Sequence, residues 1–215
     1  HMGEIQNMGL ALNVDIFNDK GKPITNRKGE LVCKNPFPTM PIKFWNDKKD
    51  KKFKDAYFNR FHNTWHHGDF AEIKKTRGFI IHGRSDTTLN PGGVRLGTAE
   101  IYSEVEKFKE IKESIVVGQS WDNDVRIVLF IVMNEKFILS EDLLKKIKLQ
   151  IRKNASPRHV PSKVIVVKDI PRTKSGKIVE LAVKNTIEGN NIKNKEALAN
   201  PKALEQFKNL KELNI

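Results

Sequence analysis

Hydrophobic and polar positions follow two different periods along this chain of 215 residues. Alternation dominates the first part. "LALNVDIF" at 10–17 has period two and runs into the turn chemistry of "NDKGKP", which predicts a strand and a tight turn. "GELVCK" predicts a second strand. "DFAEIK", the turn "KTRG" and "GFIIHGR" predict a hairpin ending at Arg84. Between these, residues 35–45 carry three prolines and cannot form a central strand. "KFKDAYFNRF" predicts one short helix.

After Arg84 the period lengthens. Ile101, Val105, Phe108 and Ile111 recur at helical spacing. Thr98 stands at the N-cap, and Glu100 lies in the first turn, where the helix dipole favours a carboxylate. "VRIVLFIVM" at 125–133 is apolar nearly throughout and predicts a strand buried on both faces. Ser140, Glu141 and Asp142 open a further helix carried by Leu143, Leu144, Ile147 and Ile151, which "SPRHVP" stops. "KVIVVKDI" predicts a strand. A last helix runs from about 178 to 187, with Gly189 placed to end it. The order helix–strand–helix–strand–loop–helix predicts an α+β domain with helices against a small sheet, starting near Ser85 and Asp86. In the polar tail, Leu198, Leu204, Phe207, Leu210 and Leu213 are spaced for a short amphipathic helix that docks by one greasy face.

Composition narrows the setting. Hydrophobic residues make up 38% of the chain, enough for a core. No apolar run reaches the ~18–20 residues that span a bilayer, and no secretory signal opens the chain, so a soluble protein is expected. The opening "HMGEIQ" reads as an expression scar, His1-Met2, before a chain cut from something longer. The single cysteine, Cys33, excludes an internal disulfide and fits a reducing cytoplasm; on a strand, with no base near it in sequence, it reads as a buried apolar residue. The net charge of +13 invites a nucleic-acid reading, but the lysines are scattered among acids. Even the richest basic run, "DKKDKKFKD", contains three aspartates, so solvated faces explain the charge better.

Three stretches carry chemistry. "PRTKSGK" ends on Lys177 directly after Gly176. A nucleotide-binding P-loop would need glycine where Pro171 stands and serine or threonine where Ile178 stands, so that reading fails. A cationic loop remains: a phosphate contact, a group that steadies developing negative charge, or a solvated turn. "GRSDTTLNPGGVRLGTAEIY" joins two arginines, suited to phosphate or ribose, to glycines that admit close backbone approach. "WHHGDF" places Gly68-Asp69 at a strand start; its adjacent histidines point to opposite faces, which argues against a metal site.

In this order, Gly68-Asp69, "GRSD" running into "GGVRLGTAEIY", and the late "SGK" resemble the acyl-adenylate-forming (AMP-binding) enzyme family, over essentially the whole chain. "GVRLGTAEIY" is close to the branch that activates acetate and acetoacetate, and "ELVCKNPFPTMPIKFWND", "SPRHVPSKV" and "EALANPKALEQF" resemble its acetoacetate side. The resemblance implies that 3–85 are the β-rich end of a large domain (part of a distorted barrel). It makes 86–189 a small mobile α+β domain with a mixed sheet packed by helices, and 190–215 an extension. It implies ATP, bound with magnesium, coenzyme A and acetoacetate as substrates, with no membrane or nucleic-acid partner. Asp69 and Arg84 would hold the ribose, and Asp86 would be the hinge on which the small domain rotates between half-reactions. Lys177 would be catalytic, bridging the attacking carboxylate and the α-phosphate. Gly93 would line the pantetheine tunnel, Arg95 would contact phosphate in the second conformation, and Arg152 would meet a coenzyme A phosphate. Acetylation of Lys177 by a lysine acetyltransferase, reversed by a deacetylase, would silence adenylation. The family's phosphate loop and its adenine and acyl pockets lie upstream, so these residues alone are expected to complete neither half-reaction. The rival readings are a ligase for acetate or another short acid, and a basic nucleic-acid-binding module.

Overall fold

The computed structural model describes residues 1–192 and 194–214, arranged in two units, His1–Asp86 and Thr87–Ile215. In the first, four strands follow one another in an antiparallel sheet: β1 (Val14–Phe17), β2 (Lys28–Cys33), β3 (Trp65–Ile73) and β4 (Phe79–Arg84). The predicted hairpin is present, and its register places Asp69 opposite Arg84. β1 is shorter than the alternation suggests. Its partner β2 ends at Cys33, which pairs with Val14, and Leu10 is exposed while Ala11 turns to a φ of 61°. Without a neighbouring strand, the upstream alternation has nothing to pair with.

The proline-rich segment is irregular, as its missing N–H groups require. Its Phe37 and Phe44, together with Phe53 and Tyr57 of α1 (Lys51–Tyr57), gather around Trp65; Tyr57 stacks on the indole with centroids 3.7 Å apart. Asp47 opens α1 by accepting from the N–H groups of Lys52 and Phe53, both at 2.8 Å. Cys33 is buried with a free thiol, and burial pushes its pKa up, which makes it a poor nucleophile.

The second unit contains α2 (Ala99–Val105), β5 (Ile111–Trp121), β6 (Asp124–Met133), α3 (Glu141–Asn154), β7 (Lys163–Val166) and α4 (Glu180–Ile187). β5 and β6 pair antiparallel; β7 pairs parallel to β6, and α3 lies in the crossover that parallel pairing needs. β6 is the central, doubly covered strand that its apolar run predicts. On one face Ile127, Leu129 and Ile131 meet Ile101 and Val105 of α2 and Ile147 and Ile151 of α3. On the other, Val128 and Phe130 meet Ala182 and Val183 of α4.

Three expectations are corrected here. The helical spacing does not continue to Ile111: α2 ends at Val105, and Ile111 opens β5, pairing with Met133. The sheet therefore has one more strand than the predicted order allows. Thr98 occupies the N-cap position of α2 but is itself in helical geometry, so its side chain caps nothing; Ser140 does cap α3, accepting from the N–H of Leu143. The tail is not one amphipathic α-helix. Pro201, which lacks an N–H, and Asn209, with a φ of 52°, break it into short 3₁₀ turns at Lys195–Ala197, Pro201–Phe207 and Lys211–Leu213. Its greasy face does dock, on its own unit: Leu198, Leu204, Phe207 and Leu213 are buried against Ile115, Val117 and Phe130. Among the described residues no helix is long and apolar enough to cross a membrane.

Candidate active site

The first unit carries a carboxylate and a guanidinium at one end of its hairpin. Cross-strand pairing brings Asp69 and Arg84 together, with Nη1 of Arg84 3.2 Å from Oδ1 of Asp69. Arg84 Nη1 also donates to the carbonyl of His67 at 3.3 Å, and its Nε lies 3.5 Å from Oδ1 of Asp86. Gly68 makes room: its φ is +86°, and a Cβ there would fall 2.7 Å from Nη2 of Arg84. The two histidines diverge. His67 lies 3.4 Å from Asp69, whereas His66 points inward to Glu30 at 2.8 Å.

Glu30 was not foreseen as a site residue. It is fully buried and held by Arg60 at 3.1 Å, by His66, and by the hydroxyl of Ser85, which donates to Oε2. Ser85 immediately precedes Asp86. A buried charge with several donors is a fixed point, and here it secures the chain at the last residues of the first unit. The half-exposed Asp86 sits in a turn outside any strand or helix, where the unit ends.

In the second unit, Gly93 closes a short turn, Pro91–Gly93, with a φ of 75° and open space where a Cβ would be. The turn is tied to the β5–β6 hairpin, since the N–H of Gly92 donates to both carboxylate oxygens of Asp124, at 2.9 and 3.0 Å. Gly93 borders an open cleft of about 610 Å³ with Asn90, Ser120, Trp121 and Val125. Arg95 follows, half-buried, just before the β-bridge of Leu96 to Leu89. Arg152 is exposed in the last turn of α3 and makes no hydrogen bond or ion pair to Gly93 or to the loop of Lys177 among the described residues.

Lys177 is not at a helix mouth. It lies on an exposed loop two residues before the N-cap of α4. The loop is a small hairpin. Thr173 N–H donates to the carbonyl of Lys177 at 2.8 Å, Lys177 N–H to Thr173 Oγ1 at 3.1 Å, and Gly176, with a φ of 83°, turns the chain. The Lys177 ammonium forms no ion pair among the described residues, so its charge is uncommitted.

Other contacts brace the helices. Tyr102 donates to Glu180 at 2.5 Å and accepts from the N–H of Val116 at 3.0 Å; burial and then the neighbouring carboxylate push the phenol pKa well above its ordinary value. His159, buried, spans Ser156 at 2.8 Å and Glu100 at 3.0 Å.

Residues 100–177 match the family model of the AMP-binding enzyme C-terminal domain. Curated relatives that match nearly the whole chain include acetoacetyl-CoA synthetases. The chain is 59% identical over 211 residues to the acetoacetyl-coenzyme A synthetase of Rhizobium meliloti (strain 1021), covering 98% of this chain and 32% of that protein. It is 45% identical over 215 residues to the acetoacetyl-CoA synthetase of Gallus gallus, covering 99% of this chain and 32% of the relative. The solved acetoacetyl-CoA synthetase from Streptomyces lividans superposes with a TM-score of 0.90 at 40% identity, over 96% of this chain and 32% of that one. The chain is thus a homologue of acetoacetyl-CoA synthetases along its whole length and spans about a third of theirs. ATP-bound MatB from Rhodopseudomonas palustris shares the fold, with a TM-score of 0.72 at 19% identity over 86% of this chain and 36% of that one. The alternative reading as a different short-acid ligase is not favoured.

Proposed function

We propose that this chain is the nucleotide-closing part of an ATP-dependent ligase that joins acetoacetate to coenzyme A. A carboxylate oxygen attacks the α-phosphorus of ATP, the bond to pyrophosphate breaks, and acyl-AMP forms. The coenzyme A sulfur then attacks the acyl carbon and AMP leaves. The observation that carries this reading is the uncommitted ammonium of Lys177 on a braced loop, in a chain 59% identical to an acetoacetyl-CoA synthetase. A full positive charge beside the α-phosphate neutralises the charge that builds in the first transition state. Asp69, aimed by Arg84, is suited to accept from two ribose hydroxyls. Asp86 absorbs the rotation of the second unit, and Gly93, Arg95 and Arg152 serve coenzyme A and the second step.

Magnesium enters as part of the ATP substrate; among the described residues no group of three metal-ligating side chains forms. Acetylation of Lys177 removes the charge and is the regulation this role would allow. A reducing cytoplasm suits the free thiol of Cys33.

The test uses the full-length protein. Pyrophosphate release should be fastest with acetoacetate among short acids. Lys177→Ala should lower adenylation by about 10²–10³ and spare thioester formation from preformed acyl-AMP. Equal losses in both half-reactions would contradict the assignment.

A further inference from the structure

The hairpin that carries Lys177 is two strands of a larger, three-stranded ribbon. Its outer strand pairs with the tail: Thr173 forms an antiparallel bridge with Leu198, Lys174 N–H donates to Ala197 O at 3.1 Å, and Ala199 N–H donates to Arg172 O at 2.8 Å. Asn200 ends this pairing with its side chain. Its Oδ1 accepts from Arg172 N–H at 2.8 Å, and its Nδ2 donates to Asp169 Oδ2 at 2.7 Å and to Ile170 O at 2.9 Å. One amide thus fixes three points on the strand leading into the loop.

Across the hairpin, Arg172 does similar work from within. Its Nη1 donates to the carbonyl of Gly176 at 3.0 Å, and its Nη2 pairs with Glu113 of β5 at 2.9 Å. The residue before Lys177 is therefore tied to the sheet through one planar guanidinium, a geometry lysine cannot reproduce. An isolated two-stranded hairpin is marginal in water. This one is converted into a three-stranded ribbon whose outer member is anchored in the core by Leu198, Leu204 and Phe207.

We infer that Asn200 and Arg172 are positioning residues for the Lys177 ammonium, and that residues 197–200 of the tail are a working part of the adenylation step. The inference rests on the proposed role of Lys177. Misplacing a charge by ~1 Å can cost about a hundredfold in rate without altering how substrate binds. The signature of positioning is then a fall in kcat for adenylation with an unchanged KM for ATP.

The experiment compares Asn200→Ala, Arg172→Lys and Lys177→Ala in the full-length protein, each assayed for ATP–pyrophosphate exchange and for thioester formation from preformed acyl-AMP. Asn200→Ala and Arg172→Lys are expected to lower kcat for exchange by about ten- to a hundredfold, leave KM for ATP within about twofold, and spare the thioester step. The intact thioester step also reports that each variant has folded. Exchange within about twofold of the parent for both variants would overturn the inference. So would a parallel fall in both half-reactions for Arg172→Lys, which removes no apolar contact and would then be acting on the fold alone. If Lys177→Ala itself leaves exchange untouched, the functional reading fails first, and that failure is seen in the Lys177 variant independently of the other two.

Discussion

Asp69 and Arg84 face each other on adjacent strands, with Oδ1 and Nη1 3.2 Å apart and the guanidinium half exposed. A pair this open to solvent contributes only about 0–1 kcal/mol to stability. What it does fix is orientation: the guanidinium holds the Asp69 carboxylate at the hairpin end, and in the proposed function that carboxylate accepts from the ribose. Arg84→Ala is therefore expected to leave the urea midpoint of the protein nearly unchanged and to raise KM for ATP in the full-length enzyme. A large loss of stability with unchanged KM would reverse that assignment.

Gly68 lets the guanidinium lie where it does. Its φ of +86° is costly for any residue with a Cβ, and the added carbon would meet Nη2 of Arg84 at 2.7 Å. Gly68→Ala should destabilise the fold by about 1–3 kcal/mol, measured by urea denaturation. Because a long side chain can swing aside, most of that cost comes from the backbone. Adding Arg84→Ala to Gly68→Ala should recover little of it. Full recovery in the double variant would show that the clash, and not the dihedral, is the cause.

Phe207 tests whether the tail is part of the core. It is fully buried, with its ring edge-on to Phe130 at 4.9 Å, in the cluster formed by α4 and the sheet. Phe207→Ala should cost about 3–5 kcal/mol. The measurement is the unfolding free energy from denaturant titration. A change below about 0.5 kcal/mol, the size of an ordinary surface substitution, would mean the tail only lies on the surface.

What the sequence made legible follows from how local each signal is. The hairpin ending at Arg84, the buried β6 and the capped α3 each carry their evidence within a few residues. β5 did not, because Ile101, Val105, Phe108 and Ile111 keep helical spacing across the end of α2. The overlooked local cue was Asp122-Asn123, whose φ values of 48° and 57° make the two-residue turn between Trp121 and Asp124. The tail failed for another reason: its apolar spacing was real, but Pro201 and Asn209 forbid one continuous helix. Among the candidate site residues, Asp69, Arg84, Gly93 and Lys177 stand in motifs. Glu30 could have been noticed as a lone acid in an apolar strand. Asn200 could not, since its partners, Asp169, Ile170 and Arg172, lie about thirty positions upstream and only the folded ribbon brings them to it.

Glu104 sets a pH dependence. It is buried on α2, where burial raises its pKa; hydrogen bonds from Asn154 at 2.8 Å and Lys107 at 2.7 Å, with the Lys107 charge, outweigh that and leave it below its ordinary value of 4.5. A carboxyl depressed in the folded state holds fewer protons there than when unfolded, so its contribution is complete above the unfolded value and is lost as pH falls through the folded one. Denaturant midpoints of the parent protein should therefore drop as pH goes from about 6 to about 3, with the Glu104 share falling below about 4.5. Glu104→Gln should be less stable than the parent at neutral pH, because the charge-assisted bond from Lys107 is lost, yet should show a shallower acid limb. If the two proteins lose stability in parallel over that range, Glu104 is titrating alike in both states and the contacts on α2 do not hold its proton affinity down.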